Sequence, residues 1–328
     1  MRHGLPHLLF ATALCFPLQA LAGGLGPGEW LQRMTASLHS ESYQGTFVLQ
    51  REGRIDTIRV VHAAEDGGYR ERLETLTGSE REILRSVDRL SVLKGARAAP
   101  DDGSEAAPHW PAGAPVFLLD RHQHYELSLQ GKDRIAGFDC RLVLARSLDP
   151  FRYTHRYCLH DDTGLPLLSE LYDPKGRLLE RLAFTELELL DGVAEAALEP
   201  TREDAERIEV RADPGHTKPD WEDEDSLGGW LFENLPPGFT AIAATERTVN
   251  GARVASRHFV LSDGLASVSV YVEPAEGGQV FEGATRAGAT HAIARALAGH
   301  QVTVVGDVPK GTVQQVMDAI SYHPPRRD

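Results

Sequence analysis

The sequence predicts an α+β protein of two domains, rich in antiparallel strands, on three observations. Short apolar-patterned segments punctuated by Gly, Asp, Ser and Pro recur from Ser42 to Leu190, as consecutive strands joined by tight turns would require. Helical periodicity is confined to short stretches: PGEWLQRMTASLH carries Trp30, Leu31, Met34 and Leu38 on one face, and TVQQVMDAI carries Val313, Val316, Met317 and Ile320. Such stripes lie on a sheet. Residues 205–225 then turn to acid, Pro and Gly between two patterned units, which marks a domain boundary.

Taken in order, residues 1–22 place Arg2 before an apolar run and end in Ala20-Leu21-Ala22, the pattern of a cleaved signal peptide. The run is shorter than the roughly 20 residues of a membrane span. After the first amphipathic helix, SYQGTFVLQRE, RIDTIRVVHA, GYRERLETLTG and EREILRSVDRLSVLK read as strands, and residues 95–115 as a long loop. Strands resume in HYELSLQGKDRIAGFDCRLVLA and in DTGLPLLSELYDPKGRLLERLAFTEL, a hairpin about Asp173-Pro174-Lys175-Gly176. The last strand is unusual. Alternation places Leu178, Leu182 and Phe184 on one side and Leu179, Ala183 and Leu187 on the other, so both faces of an antiparallel strand are apolar. The expected domains are 23–205 and 226–322, separated by an acidic linker at 206–225 and followed by a tail at 323–328. In the second domain, WLFENLPPGFTAIAATERTV and VASRHFVLSDGLASVSVYVEP lead to a helix around THAIARALAG, a strand QVTVVGD and a last helix with a Thr312–Gln315 capping box.

The chain has 328 residues and a formal charge of −14, which becomes −15 once the leader with its Arg2 is removed. That balance argues against nucleic acid as a partner. Arg51, Arg54 and Arg59, and Arg70 and Arg72, form local basic patches, which read as solvated strand faces. The exported chain keeps only Cys140 and Cys158, an even number in an oxidising compartment. Folding about Asp149-Pro150 sets them directly opposite on adjacent strands, at disulfide distance. The rival is a metal site of Cys158, His160 and His122 or His124, which lacks a second ligand pair at metal spacing.

Catalytic signatures are missing: the sequence has no GxSxG elbow, HExxH helix, Walker A loop or dinucleotide fingerprint. No cofactor is implied, and a binding protein is favoured over an enzyme. YQGTFVLQ, ERLETLTGSEREILRSVD, LQGKDRIAGFDCRLVLARSLDPFRYTHRYCLHDDTGLPLLSEL, LPPGF, LSDGLASVSVYVEP and QVTVVGDVPKGTVQQV together resemble the periplasmic sigma-E regulatory proteins of the RseB/MucB type, in the same order from Trp30 to Tyr322. SVLKGARAAPDDG departs from the family pattern.

The resemblance implies a half-open antiparallel β-barrel of the LolA/LolB kind with helices on its concave face, plus a smaller C-terminal α/β sandwich-like domain. It implies a periplasmic partner, the periplasmic part of a membrane-spanning anti-sigma factor (RseA/MucA type), shielded from the site-1 protease. Release would follow when lipid, lipopolysaccharide or lipoprotein acyl chains occupy the large domain; self-association into a homo-oligomer stays open. On this reading Phe47, Leu49, Val60, Leu144, Leu182 and Phe184 line the lipid space, and Trp230, Phe239, Phe259 and Tyr271 serve partner contact. The alternatives are a periplasmic lipoprotein or lipid carrier on the same barrel and, third, a periplasmic hydrolase.

Overall fold

The computed structural model describes residues 24–66, 68–86, 89–94, 123–201, 206–212, 227–249, 252–275 and 280–324. The expected leader, the 95–115 loop from residue 95 onward and residues 213–225 of the linker lie outside them. The first domain opens with α1 (Pro27–Ser40) and continues as strands β1 (Ser42–Arg51), β2 (Arg54–Glu65), β3 (Gly68–Thr75), β4 (Arg81–Ser86), β5 (Arg89–Lys94), β6 (Tyr125–Ile135), β7 (Phe138–Ser147), β8 (Thr154–His160), β9 (Pro166–Tyr172) and β10 (Leu178–Leu190). All pair antiparallel, in the order β6-β7-β8-β9-β10-β1-β2-β3-β4-β5. The sheet does not close on itself, as a half-open barrel requires.

One face of this sheet is covered by α1. Its first turn is set by Pro27 at the start and by Gly26 N–H donating to Glu29 Oε2 at 2.6 Å. Trp30, Leu31, Met34 and Leu38 then enter a buried cluster with Tyr43, Phe47, Leu49, Val60, Leu182 and Phe184 from the strands. Arg33 stays at the rim, 5.4 Å over the Trp30 ring, and donates to the carbonyls of Asp161 and Asp162 in the β8–β9 turn. That turn bends close to the helix at Gly164 (φ +84°), where a Cβ would fall 2.6 Å from Arg33 Cγ.

The two-faced pattern of β10 resolves into a bulge and a contact. Thr46 pairs with Glu186 but Phe47 with Phe184, so Thr185 is an extra residue. The bulge turns Leu187 to the side of Leu182 and Phe184, and all three join the same cluster. Leu179 is itself the extra residue of a second register shift, between Leu178 and Glu180, and packs with Tyr153, Leu171 and Ala289, the last from the second domain. On the face opposite to Val60, Val61 and Ala63 are covered by Leu198 of the short helix α2 (Glu195–Leu198). Only part of the helical cover is therefore on the concave side.

Of the expected linker, residues 206–212 form strand β11 (Glu206–Ala212), which pairs with β5 on one side and with β13 (Thr240–Val249) of the second domain on the other. The second domain adds β12 (Trp230–Phe232), β14 (Ala252–Ser262), β15 (Ser267–Pro274), β16 (Gly283–Ala287), β17 (Thr290–Leu297), β18 (His300–Gly306), α3 (Lys310–Asp318) and β19 (Ile320–Tyr322). Its sheet runs β13-β14-β15-β18-β17-β16, and β12 pairs with β19. THAIARALAG is thus a strand and not the expected helix. It is held between β16 and β18 and closed by a two-residue turn, Ala298 (φ 50°) and Gly299 (φ 78°), so hairpin geometry overrides its alanine-rich helical preference. The expected capping box also fails, because α3 begins three residues earlier with Pro309 at its N-cap, and the Thr312 hydroxyl donates instead to Phe151 O at 2.6 Å.

Cys140 and Cys158 are buried and bonded, with Cα atoms 5.3 Å apart. The register is not the one expected, since Cys158 faces Leu142 and Cys140 faces His160, which makes the bridge diagonal. The turn between the strands is centred one residue later because Asp149 folds it, its Oδ1 accepting Phe151 N–H at 2.9 Å. In protein purified without reductant, mass spectrometry is expected to find a Cys140–Cys158 bond, and its reduction to lower stability by about 3 kcal/mol on the chain-entropy account. Two free thiols in that material would contradict it.

Candidate functional site at the junction of the two domains

Stretches far apart in sequence meet where the domains touch. The β7–β8 turn brings Asp149, Phe151, Arg152 and Tyr153; the LPPGF loop brings Pro237, Gly238 and Phe239; the β14–β15 turn brings Asp263 and Leu265. Arg152 lies at the centre with no exposed surface. Its Nε stands 3.3 Å from Asp149 Oδ1, in its own domain, and 3.3 Å from Asp263 Oδ2, in the other. Nη2 donates to Pro237 O at 2.5 Å, and the guanidinium sits 5.5 Å from the Tyr125 ring centre and 5.4 Å from that of Phe239. Tyr125 OH completes the cluster by donating to Asp263 Oδ2 at 3.0 Å. A buried guanidinium is tolerated only when its charge is paired, and since Nε and Nη1 make no hydrogen bond here, the two carboxylates compensate it as ion pairs. Here one of the pairing carboxylates arrives with the second domain.

The backbone approaches closely beside this cluster. Gly238 (φ +83°) faces the His124 ring so tightly that a Cβ would fall 2.4 Å from Cδ2. Leu265 goes further: it is 1% exposed and belongs to the buried cluster of the large domain, with Tyr125 and Tyr157, although its chain neighbours Leu261, Ala266 and Val268 lie in the small-domain core.

A second patch docks the β16–β17 turn. Tyr153 OH donates to Ala289 O at 3.2 Å and lies 3.4 Å from His291 Nδ1. Gly288 lies against Arg51, and Arg286 stands 3.9 Å from Glu52. Burial, together with the charge of Asp307 across the junction, pushes Glu180 up to about 7, with its cross-strand partner Arg51 pulling the other way. Burial pulls His155 down to about 4, next to Tyr157 OH at 3.1 Å. Burial also raises Asp263, against the pull of the Leu265 and Ala266 amides and of Arg152.

The inner face of the large domain carries one polar rung. Tyr43 stacks on His62 at 4.8 Å, His62 Nδ1 lies 3.4 Å from Glu71, and Arg85 pairs with the other Glu71 oxygen at 2.5 Å. Burial raises Glu71, but Arg85 and His62 outweigh it and hold the carboxyl below its ordinary value.

Of the expected lipid-space residues, Phe47, Leu49, Val60, Leu182 and Phe184 are brought together in the buried cluster. Leu144 is half-buried and outside it, because Val143 and Ala145 take the inward positions. Of the expected contact aromatics, Trp230, Phe239 and Phe259 are at most 4% exposed and form the core of the small domain. Tyr271 is half-buried, stacked on His258 at 4.5 Å. The metal rival loses Cys158 to the disulfide, and among the described residues no group of three or more His, Cys, Asp or Glu is arranged for a metal ion. Nothing in the local sequence pattern marks Arg152, Asp263, Leu265 or Tyr125 as a group. The signal was there in two motifs, DPFRY and LSDGL, whose meeting only the fold reveals.

Residues 26–202 match the MucB/RseB N-terminal domain and residues 224–321 the MucB/RseB C-terminal domain. The chain belongs to the MucB/RseB family. Among the relatives of this MucB/RseB chain, the sigma factor AlgU regulatory protein MucB of Pseudomonas aeruginosa is 33% identical over 97% of this chain and 96% of the relative. The sigma-E factor regulatory protein RseB of Haemophilus influenzae is 23% identical over 97% and 99%. The crystal structure of MucB superposes with a TM-score of 0.68 at 30% identity, covering 90% of this chain and 98% of that one. The Pseudomonas aeruginosa MucA/MucB complex gives 0.61 at 29% identity, covering 92% and 99%.

The raised Glu180 sets a pH dependence. Its carboxyl binds a proton more tightly in the folded state than at the ordinary 4.5, so its stabilising contribution is full below that value and is lost as pH rises through 7. Glu180→Gln, neutral at every pH, is expected to match the parent near pH 4 and to exceed its stability by about 3 kcal/mol at pH 8. Denaturant melts at the two pH values measure this, and an unchanged difference between them would contradict it.

Proposed function

We propose that this chain is a non-enzymatic periplasmic regulator, exported by a cleaved leader, that holds the periplasmic segment of a membrane-spanning anti-sigma factor. Held in this way, the segment is shielded from site-1 cleavage, and acyl chains of lipid, lipopolysaccharide or lipoprotein entering the large domain release it. The observation that carries the reading is the match of both domains to a MucB that was solved with MucA. The apolar inner face, where Phe47, Leu49, Leu182 and Phe184 are packed under α1, supports the lipid arm, since each methylene buried there contributes about 0.8 kcal/mol.

With Trp230, Phe239 and Phe259 committed to the core, partner contact falls to surfaces that are open. Strand β16 is paired by β17 on one side, and Phe281 before it is 66% exposed. An edge of this kind offers main-chain hydrogen bonds to an extended segment. A plain lipid carrier, the alternative, has no use for a second domain whose turn is built into the core of the first.

Isothermal titration of the full chain with the periplasmic segment of its anti-sigma factor is expected to show saturable binding that a saturating fatty-acyl probe weakens at least ten-fold. Absence of binding would overturn the regulator reading, and binding indifferent to the probe would overturn release by lipid.

A further inference from the structure

The β14–β15 turn, Asp263 to Ala266, is built to hold its own shape. Asp263 Oδ1 accepts Leu265 N–H at 2.9 Å and Ala266 N–H at 2.7 Å, Ser262 Oγ accepts Gly264 N–H at 3.0 Å and donates to Ala266 O at 2.9 Å, and Gly264 takes φ +99°. Because these bonds are internal, the turn can leave the large domain as a unit without breaking them. What ties it there is of two kinds. Leu265 is buried in the large-domain cluster, and the other Asp263 oxygen receives Tyr125 OH at 3.0 Å and faces Arg152 Nε at 3.3 Å. Plug and latch are adjacent residues of one turn.

We propose that Leu265 is a displaceable plug: an acyl chain entering the large domain and the Leu265 side chain compete for the same apolar volume, and displacement of Leu265 opens the Arg152–Asp263 latch. This rests on the lipid-binding reading above. The exchange is close to balanced, since a buried leucine side chain is matched by roughly four buried methylenes, and any longer chain outweighs it. Opening is resisted by the latch, because withdrawal of Asp263 leaves the buried Arg152 with Asp149 as its remaining carboxylate. Linkage then fixes the sign of every effect. Whatever weakens plug or latch tightens lipid binding, and lipid in turn separates the domains.

The test uses the full chain, a dansyl-labelled fatty acid as probe, and the distance between one spectroscopic label on each domain. Leu265→Ala is expected to bind the probe at least five-fold more tightly than the parent, and the probe to lengthen the interdomain distance in the parent. Leu265→Met, which keeps the volume, is expected to behave as the parent does. Asp263→Asn weakens the latch without touching the apolar volume and is expected to shift both readouts in the direction of Leu265→Ala, so it decides the matter where the alanine variant folds poorly. Binding to Leu265→Ala but not to the parent supports the plug. A parent that binds the probe, with Leu265→Ala and Asp263→Asn both unchanged, overturns the plug and leaves the lipid reading standing. No binding to any variant overturns both.

Discussion

The structure depends on covering the inner face of a ten-stranded antiparallel sheet that does not close on itself. Its exposed alternative would be a concave apolar surface lined by Phe47, Leu49, Leu182 and Phe184, which water disfavours in proportion to its area. The 14-residue α1 supplies Trp30, Leu31, Met34 and Leu38 to that surface. A side chain from the other domain, Leu265, completes the cluster near Tyr125. The two domains therefore share a core, and the shared part is guarded by a buried Arg152 whose countercharges come from both sides. Breaking the contact exposes apolar surface and leaves a charge short of a partner, two costs that add.

Such a junction suits a regulator better than a carrier. A carrier needs an inner face that opens to its cargo. A regulator needs the state of the inner face to be felt elsewhere, which requires an element with two arrangements whose balance both sites bias. The β14–β15 turn has the construction for this, being internally bonded and anchored at one apolar and one ionic point. The polar rung of Tyr43, His62, Glu71 and Arg85 gives the inner face a charged end as well as an apolar floor.

Much of this was legible in the sequence. The strand run, the first helix with its buried stripe and the cysteine pairing all follow from local pattern, because strand alternation and helical periodicity are written residue by residue. What was not legible depends on neighbours. One extra residue at Thr185 reversed the face of Leu187, which no alternation rule can foresee. THAIARALAG has alanines that suit a helix, and only its pairing with β16 and β18 makes it a strand. Thr312 looked like a cap and is a contact to Phe151. Trp230, Phe239 and Phe259 are expected at the partner contact and lie in the core instead, because which aromatics are buried depends on the partner strands.

Calorimetry of the full chain tests the shared core most directly. If Leu265 and Arg152 join the domains as described, the parent unfolds in one cooperative transition, and Arg152→Met, which removes the charge that the latch is built around, separates it into two. Two independent transitions in the parent, or a single transition untouched by Arg152→Met, would contradict the account.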